Sequence, residues 1–298
     1  MAHAHAHANA TPRGGPARAG RWVRYVSLIA LLVVVFVTPS GAAAAAATEP
    51  EPTYFNSRVL VTAPQLPDPA QVQAELQRRV GPSLQITSVI NPAPHQLAVI
   101  YTNQGTLIYS LHAGPMDDRW LDWSCHAAWS WPEACAAVKP HQGYIFVSLV
   151  AGPTDPIEGR LLMTHFIAAV MDENAIANDW RGVLQPRGVV HAASAQASRA
   201  APALELWARV SLKDQGERGV SMQTFGLRSI GLPELRASRV RRRADEVGAA
   251  ALHAAQQLTA AGPGLPPAGP LNGGPILIEP TARRGRRAPG TAELRWAD

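Results

Sequence analysis

Seven consecutive residues, 144–150 (YIFVSLV), form a nearly unbroken apolar run close to the middle of the chain. A run of this length reads as a central strand covered on both faces, so it demands layers above and below it. Residues 84–90, 96–102 and 106–112 are three further strand-like stretches, and Asn103-Gln104-Gly105 between the last two is a hairpin signal. A β-branched run at 58–63 precedes them. Asp68 before Pro69 marks a capped helix over 69–80, because Pro suits the first helical position. A helix over 117–129 is expected next. Ser130-Trp131-Pro132-Glu133 fits a capping box opening a short helix through 138. Asp155 or Pro156 opens a helix to about 176, and 189–191 is a short strand candidate. Residues 204–212 and 220–227 read as an antiparallel pair, after which Ser238 caps an amphipathic helix to about 261.

Hairpins mixed with crossovers imply an α+β fold: a mixed, largely antiparallel sheet with helices packed on it, in a single domain over 58–262. Residues 48–57 are Pro- and Glu-rich and read as a linker. Residues 263–298 are rich in Pro, Gly and Arg and read as a disordered tail.

The formal charge of +5 belongs mostly to the two ends. Residues 1–47 carry +4, residues 48–262 carry −1 and residues 263–298 carry +2. A footprint for phosphate backbones needs basic residues massed on the domain, so nucleic acid is excluded as a partner. At the front, Arg13, Arg18, Arg21 and Arg24 precede the apolar run 25–37, followed by a Pro-Ser-Gly break and six alanines, Ala42 to Ala47. That order describes a signal peptide. Thirteen residues span roughly 20 Å of helix, short of a bilayer, whereas 25–47 as one helix reaches about 34 Å and serves as an uncleaved anchor. Either way the arginines hold the N-terminus in the cytoplasm and the domain is exported, periplasmic or tethered to the inner membrane.

Three stretches, in this order, resemble the bacterial family known as domain of unknown function 4261. The first is Ala128-Trp-Ser-Trp-Pro-Glu-Ala134 with His141 and the strand Ile145-Phe-Val-Ser-Leu149. The second is Leu161-Leu-Met-Thr164 with Ala168-Ala169, then Gly182-Val183 and Val190-His191. The third is Leu206-Trp207, Thr224-Phe-Gly-Leu227 and Gly231-Leu-Pro-Glu-Leu235. The resemblance covers about residues 58–236. It departs from the family at Ile230, where an aromatic often stands, and at Asn178-Asp179-Trp180, which replaces a more aromatic stretch. The resemblance implies no activity; by analogy it suggests immunity-type protein binding.

Candidate site residues follow from side-chain chemistry. Trp120, Trp123, Trp129 and Trp131 fall within twelve residues, and tryptophan anchors either a core or an interface. The binding candidates are Trp129, Trp131, Glu133, His141, His191 and Trp207. His165 falls at helical spacing with Leu161, Ala168 and Ala169, and so faces the core. No histidine has metal-motif spacing, and no phosphate loop, dinucleotide fingerprint or nucleophile elbow occurs, so no metal or cofactor is expected. Cys125 and Cys135 would lie about 15 Å apart on one continuous helix but come together if the chain breaks at 130–132. The reading that results is a non-enzymatic binding domain with a protein partner. Its rival is a hydrolase built from His141, His191, Glu133 or Glu158.

Overall fold

The structure is a computed structural model, which describes residues 53–261, 269–270, 276–281 and 291–296. The leader, residues 1–47, lies outside the described residues. Among those described, no helix is long and apolar enough to cross a membrane. The fold is α+β, with the strands divided between two sheets.

The first sheet contains β1 (Thr53–Val61), β2 (Ile86–Ala93), β3 (Leu97–Thr102), β4 (Gly105–Ala113), β5 (Gly143–Gly152), β6 (Ala175–Trp180) and β7 (Val183–Pro186). Its order is β2-β3-β4-β5-β1-β6-β7, and every neighbouring pair is antiparallel. The run that demanded two covering layers is β5, inside the sheet between β4 and β1. Ile145, Val147 and Leu149 alternate onto one face with Val59 and Val61. The helices α1 (Pro69–Val80), α4 (Pro156–Val170) and α5 (Arg187–Gln196) bury Leu76, Phe166, Ile167 and Val190 in that core. Leu60 and Ala177 point to the opposite face, where α2 (Asp118–His126) and α3 (Ala134–Val138) supply Leu121, Cys125, Ala134 and Val138.

Both aspartate-proline helix starts form as expected. Asp68 accepts the backbone N–H groups of Ala70 and Gln71, and Asp155 accepts those of Ile157 and Glu158. Each satisfies donors that the first helical turn leaves unpaired.

The second sheet runs β11-β12-β13-β10-β9-β8. It contains β8 (Arg209–Asp214), β9 (Val220–Phe225), β10 (Glu234–Val240), β11 (Gly269–Pro270), β12 (Ile276–Thr281) and β13 (Thr291–Trp296). The helix α7 (Ala244–Ala261) seals it with Val247, Ala251, Ala254, Ala255 and Leu258.

Several expectations are corrected here. The tail is not wholly disordered: β12 pairs antiparallel with β13, β13 pairs parallel with β10, and Ile278, Ala292 and Leu294 are buried. The linker ends earlier than 57, because β1 begins at Thr53. The helix expected to reach 176 stops at Val170, and β6 follows; its residues Ala175 and Ala177 have weak strand propensity, but partners on both sides hold it. Residues 189–191 are helical within α5. The segment expected to form one strand over 204–212 divides into a short helix, α6 (Leu204–Trp207), and β8. Ser238 caps nothing, since it lies inside β10. Glu133 stands at the head of α3 without a side-chain capping bond, so the capping box does not form.

The chain does turn back at 130–132. Cys125 and Cys135 form a disulfide, with Cα atoms 5.0 Å apart. Closing this ten-residue separation restricts the unfolded chain by an amount worth about 3 kcal/mol. Thiol labelling of native, unreduced protein is expected to find no free thiol, and reduction to lower the melting temperature. Two labelled thiols in the unreduced protein would refute the bridge.

Candidate functional site

The helix α2 presents two tryptophans to solvent. Asp117 accepts the N–H groups of Arg119 and Trp120 and so fixes the helix start. From that start, Leu121, Ser124 and Cys125 turn inward, while Trp120 and Trp123, three residues apart, share the outer face. They are 43% and 46% exposed, and their rings lie 5.6 Å apart.

Beneath them is a buried carboxyl group. Asp179, on β6, is 2% exposed and stands opposite Arg58 of β1 in the strand register. Its Oδ2 accepts the Trp120 indole N–H at 2.9 Å and an Arg58 N–H at 3.4 Å. Its Oδ1 is buried without a hydrogen-bond partner. Burial pushes the Asp179 carboxyl above the usual range, against the opposing pull of Trp120 and Arg58.

The β6–β7 hairpin turns through Arg181-Gly182, with φ of +60° and +75°. Two successive left-handed residues are the signature of the tight hairpin turn whose usual occupants are Asn-Gly. Arg181 holds this conformation against its own side-chain preference, at a cost of order 1 kcal/mol. Gly182 is required for a second reason: a Cβ there would run into the Trp123 ring. From the second sheet, Arg209 opens β8 and is paired in register with Phe225 at the end of β9. Its guanidinium lies 4.8 Å from the Trp123 ring centre and 4.4 Å from that of Phe225. Arg58 makes the equivalent cation–π contact with Trp120 at 5.0 Å.

These groups border a cavity of about 430 Å³, lined by Asn56, Arg58, Asp179, Arg181, Arg209 and the two tryptophans among others. An open hollow of about 640 Å³ adjoins it, shares Arg58, Trp120 and Trp123, and extends to Arg119 and Tyr144. Burial and the nearby charge of Arg181 lower the Arg209 pKa. Its Nε is buried without a partner.

The residues proposed from sequence are placed elsewhere, and of the six only Trp129 and Trp131 are brought to one groove. Trp129 and Trp131, both partly buried, line a separate groove of about 240 Å³ with Glu205 and Gln185. Trp129 also packs closely over Gly248 of α7. Glu133 is exposed. His141 is buried with both ring nitrogens engaged by backbone: Nε2 accepts the Met116 N–H at 2.9 Å, and Nδ1–H donates to the Val138 carbonyl at 2.8 Å. His191, on α5, donates Nε2–H to the Met171 carbonyl and accepts an Arg79 N–H at Nδ1. Trp207 is 1% exposed and donates its indole N–H to Thr164 Oγ1 at 2.9 Å, so it is core. Glu158 pairs with Arg199.

Among the described residues no histidine is ion-paired to a carboxylate. One metal-like cluster occurs there, Cys125, His126 and Cys135, with ligand atoms within 4.8 Å of one another. Its two sulfurs are bonded to each other and so are not thiolate ligands.

The face that sequence reasoning underrated is that of Trp120 and Trp123. Their spacing after Asp117 was a usable signal, but Arg58, Asp179, Arg181, Arg209 and Phe225 come from distant strands.

A histidine network behind the first sheet makes the fold sensitive to acid. Ser194 Oγ lies 3.0 Å from His165 Nδ1 and accepts an Arg79 N–H at 2.9 Å. Burial, then the Arg79 charge, lowers the His165 pKa from 6.5 to about 4. Between those values the unfolded chain binds a proton that the folded protein excludes, so stability falls as pH drops through this window. With a discount for the ring's partial exposure, His165 contributes about 2 kcal/mol. His165→Gln is expected to flatten the fall in melting temperature between pH 6.5 and 4.5. An unchanged slope would remove His165 as the cause.

No family model, curated protein or solved structure matches this chain, so the resemblance to domain of unknown function 4261 rests on its three motif stretches alone.

Proposed function

We propose that this chain is a non-enzymatic binding domain whose binding face is formed by Trp120, Trp123 and the arginines around them. The observation that carries the reading is the exposure of two neighbouring tryptophans, 43% and 46%, on a helix whose other face is fully packed. Large aromatic side chains left in solvent beside charged groups are the composition of interface centres. The shallow, aromatic-edged form of the face favours binding over catalysis. The full engagement of His141 and His191 with backbone and Arg79 gives the hydrolase reading no poised base. An immunity-type partner, suggested by the family resemblance, fits this surface, and the leader's residue order supports a location outside the cytoplasm. The membrane enters the proposal only through residues 25–47, as an uncleaved anchor.

The test is affinity purification of the full chain from its own cell envelope, native against the Trp120→Ala/Trp123→Ala double variant. The expected result is a partner retained by the native protein and lost by the variant, which stays folded but melts lower because Asp179 loses the Trp120 N–H. Identical retention would refute the face, whereas Trp131→Ala alone abolishing retention would move the site to the other groove.

A further inference from the structure

We infer that this face binds an acidic, carboxylate-bearing segment of a partner protein, an inference that rests on the binding face proposed above. The cavity is lined by three arginines, Arg58, Arg181 and Arg209, against one carboxylate, Asp179. Arg58 is the one that reaches Asp179. Among the described residues, Arg181 and Arg209 have no acidic partner. Two guanidinium groups beside a single carboxylate already paired with Arg58 leave the surface short of anions, and a partner's carboxylates complement it.

Three further observations point the same way. The Nε of Arg209 is buried without a hydrogen-bond acceptor, so the fold leaves this guanidinium short of acceptors as well as of counter-charge. Arg181 is held at φ +60° in a turn position where Asn or Gly is unstrained, so the turn displays a guanidinium at a conformational cost. Arg160, only 3% exposed, has its pKa lowered by burial and then by the nearby Arg181 charge, and it bonds to the Pro156 carbonyl and Ser229 and lies over the Phe55 ring rather than pairing with an acid. The local field is therefore more positive than the rim alone provides.

The aromatic rings argue against a sugar. Trp123 lies against Gly182 and carries the Arg209 guanidinium, and Trp120 carries that of Arg58, so the rings are occupied as platforms. With a face of each ring covered, the arginines are the main donors lining the cavity. The two adjoining hollows, which run from Arg209 to Arg119 and Tyr144, form an open track suited to an extended segment.

Fluorescence anisotropy with labelled ten-residue peptides tests the inference on the full chain. One peptide alternates Glu and Tyr, the second alternates Gln and Tyr, and a glucose oligomer serves as an uncharged competitor. The Glu peptide is expected to bind about tenfold tighter than the Gln peptide at low salt, with the preference collapsing at high salt. Arg181→Asn, which relieves the turn while removing the charge, and Arg209→Gln are each expected to lower Glu-peptide affinity by about fivefold to tenfold. Equal binding of both peptides, lost in the double tryptophan variant, overturns the acidic ligand and leaves the binding face standing. Binding of neither peptide, with envelope retention intact, does the same. Glu-peptide binding that survives Arg181→Asn and Arg209→Gln, or displacement by the glucose oligomer, also overturns the inference.

Discussion

Removing residues 262–298 is expected to cost the protein about 5 kcal/mol or more and to lower its melting temperature by about 10–20 °C. The loss begins with Ile278 and Leu294, each 2% exposed, at roughly 1.5–3 kcal/mol apiece. It continues at β10, which pairs with β13 through Glu234↔Thr291, Leu235↔Ala292 and Arg236↔Glu293. Without β13, β10 becomes an edge strand whose backbone groups lose their partners, and buried Leu235 loses the neighbouring Ala292. A loss of this size is comparable to the whole stability of many domains. Differential scanning calorimetry of the full chain against the truncated one reads the effect. A melting point within about 3 °C of the full chain would show that the second sheet holds with β10 at its edge.

Trp207→Ala is expected to destabilise the fold by about 3–5 kcal/mol, and Trp207→Phe by appreciably less. The indole is the largest fully buried side chain among the described residues, packed where α6 meets the main core. Its N–H meets Thr164 Oγ1, whose own hydroxyl donates to the Arg160 carbonyl, so the alanine variant creates a cavity without orphaning Thr164. The phenylalanine variant keeps much of the volume and isolates the loss of the N–H contact. Chemical denaturation of the three proteins gives the ranking. An unchanged midpoint in Trp207→Ala, joined to loss of partner retention, would return this tryptophan to the binding surface.

What was legible in the sequence was local. Asp68-Pro69 and Asp155-Pro156 carry their helix starts within three residues. The β3–β4 hairpin is signalled by Asn103-Gln104-Gly105 at its turn, and β5 by nearly unbroken hydrophobicity. Where distant partners decide, the local signal misled. The segment 234–240 has Leu235 and Ala237 alternating inward, a strand period, but Ser238 and the helix beyond it gave a competing cap reading. The segment Ile276–Thr281 offered one short apolar run among prolines and glycines. Alone, that run offers too little burial to offset the ordering entropy of the tail; its pairing with β13, and that of β13 with β10, supplies the rest.

The candidate site divides in the same way. The Trp120–Trp123 spacing is a property of one helix. The arginines that give the face its charge arrive from β1, the β6–β7 turn and β8, and neither composition nor periodicity links them.

The placement of β1 and β13 also sets an order of events. The strand β1 is made early but is flanked by β5 and β6, which follow it by some eighty to one hundred and twenty residues. The strand β13 sits between β12 and β10. Neither sheet can therefore complete itself around a growing chain before its last strand is made: the first waits for residue 186, and the second for residue 296. Long-range strand pairing of this kind makes folding wait on the far partner of each strand rather than on any local stretch of sequence.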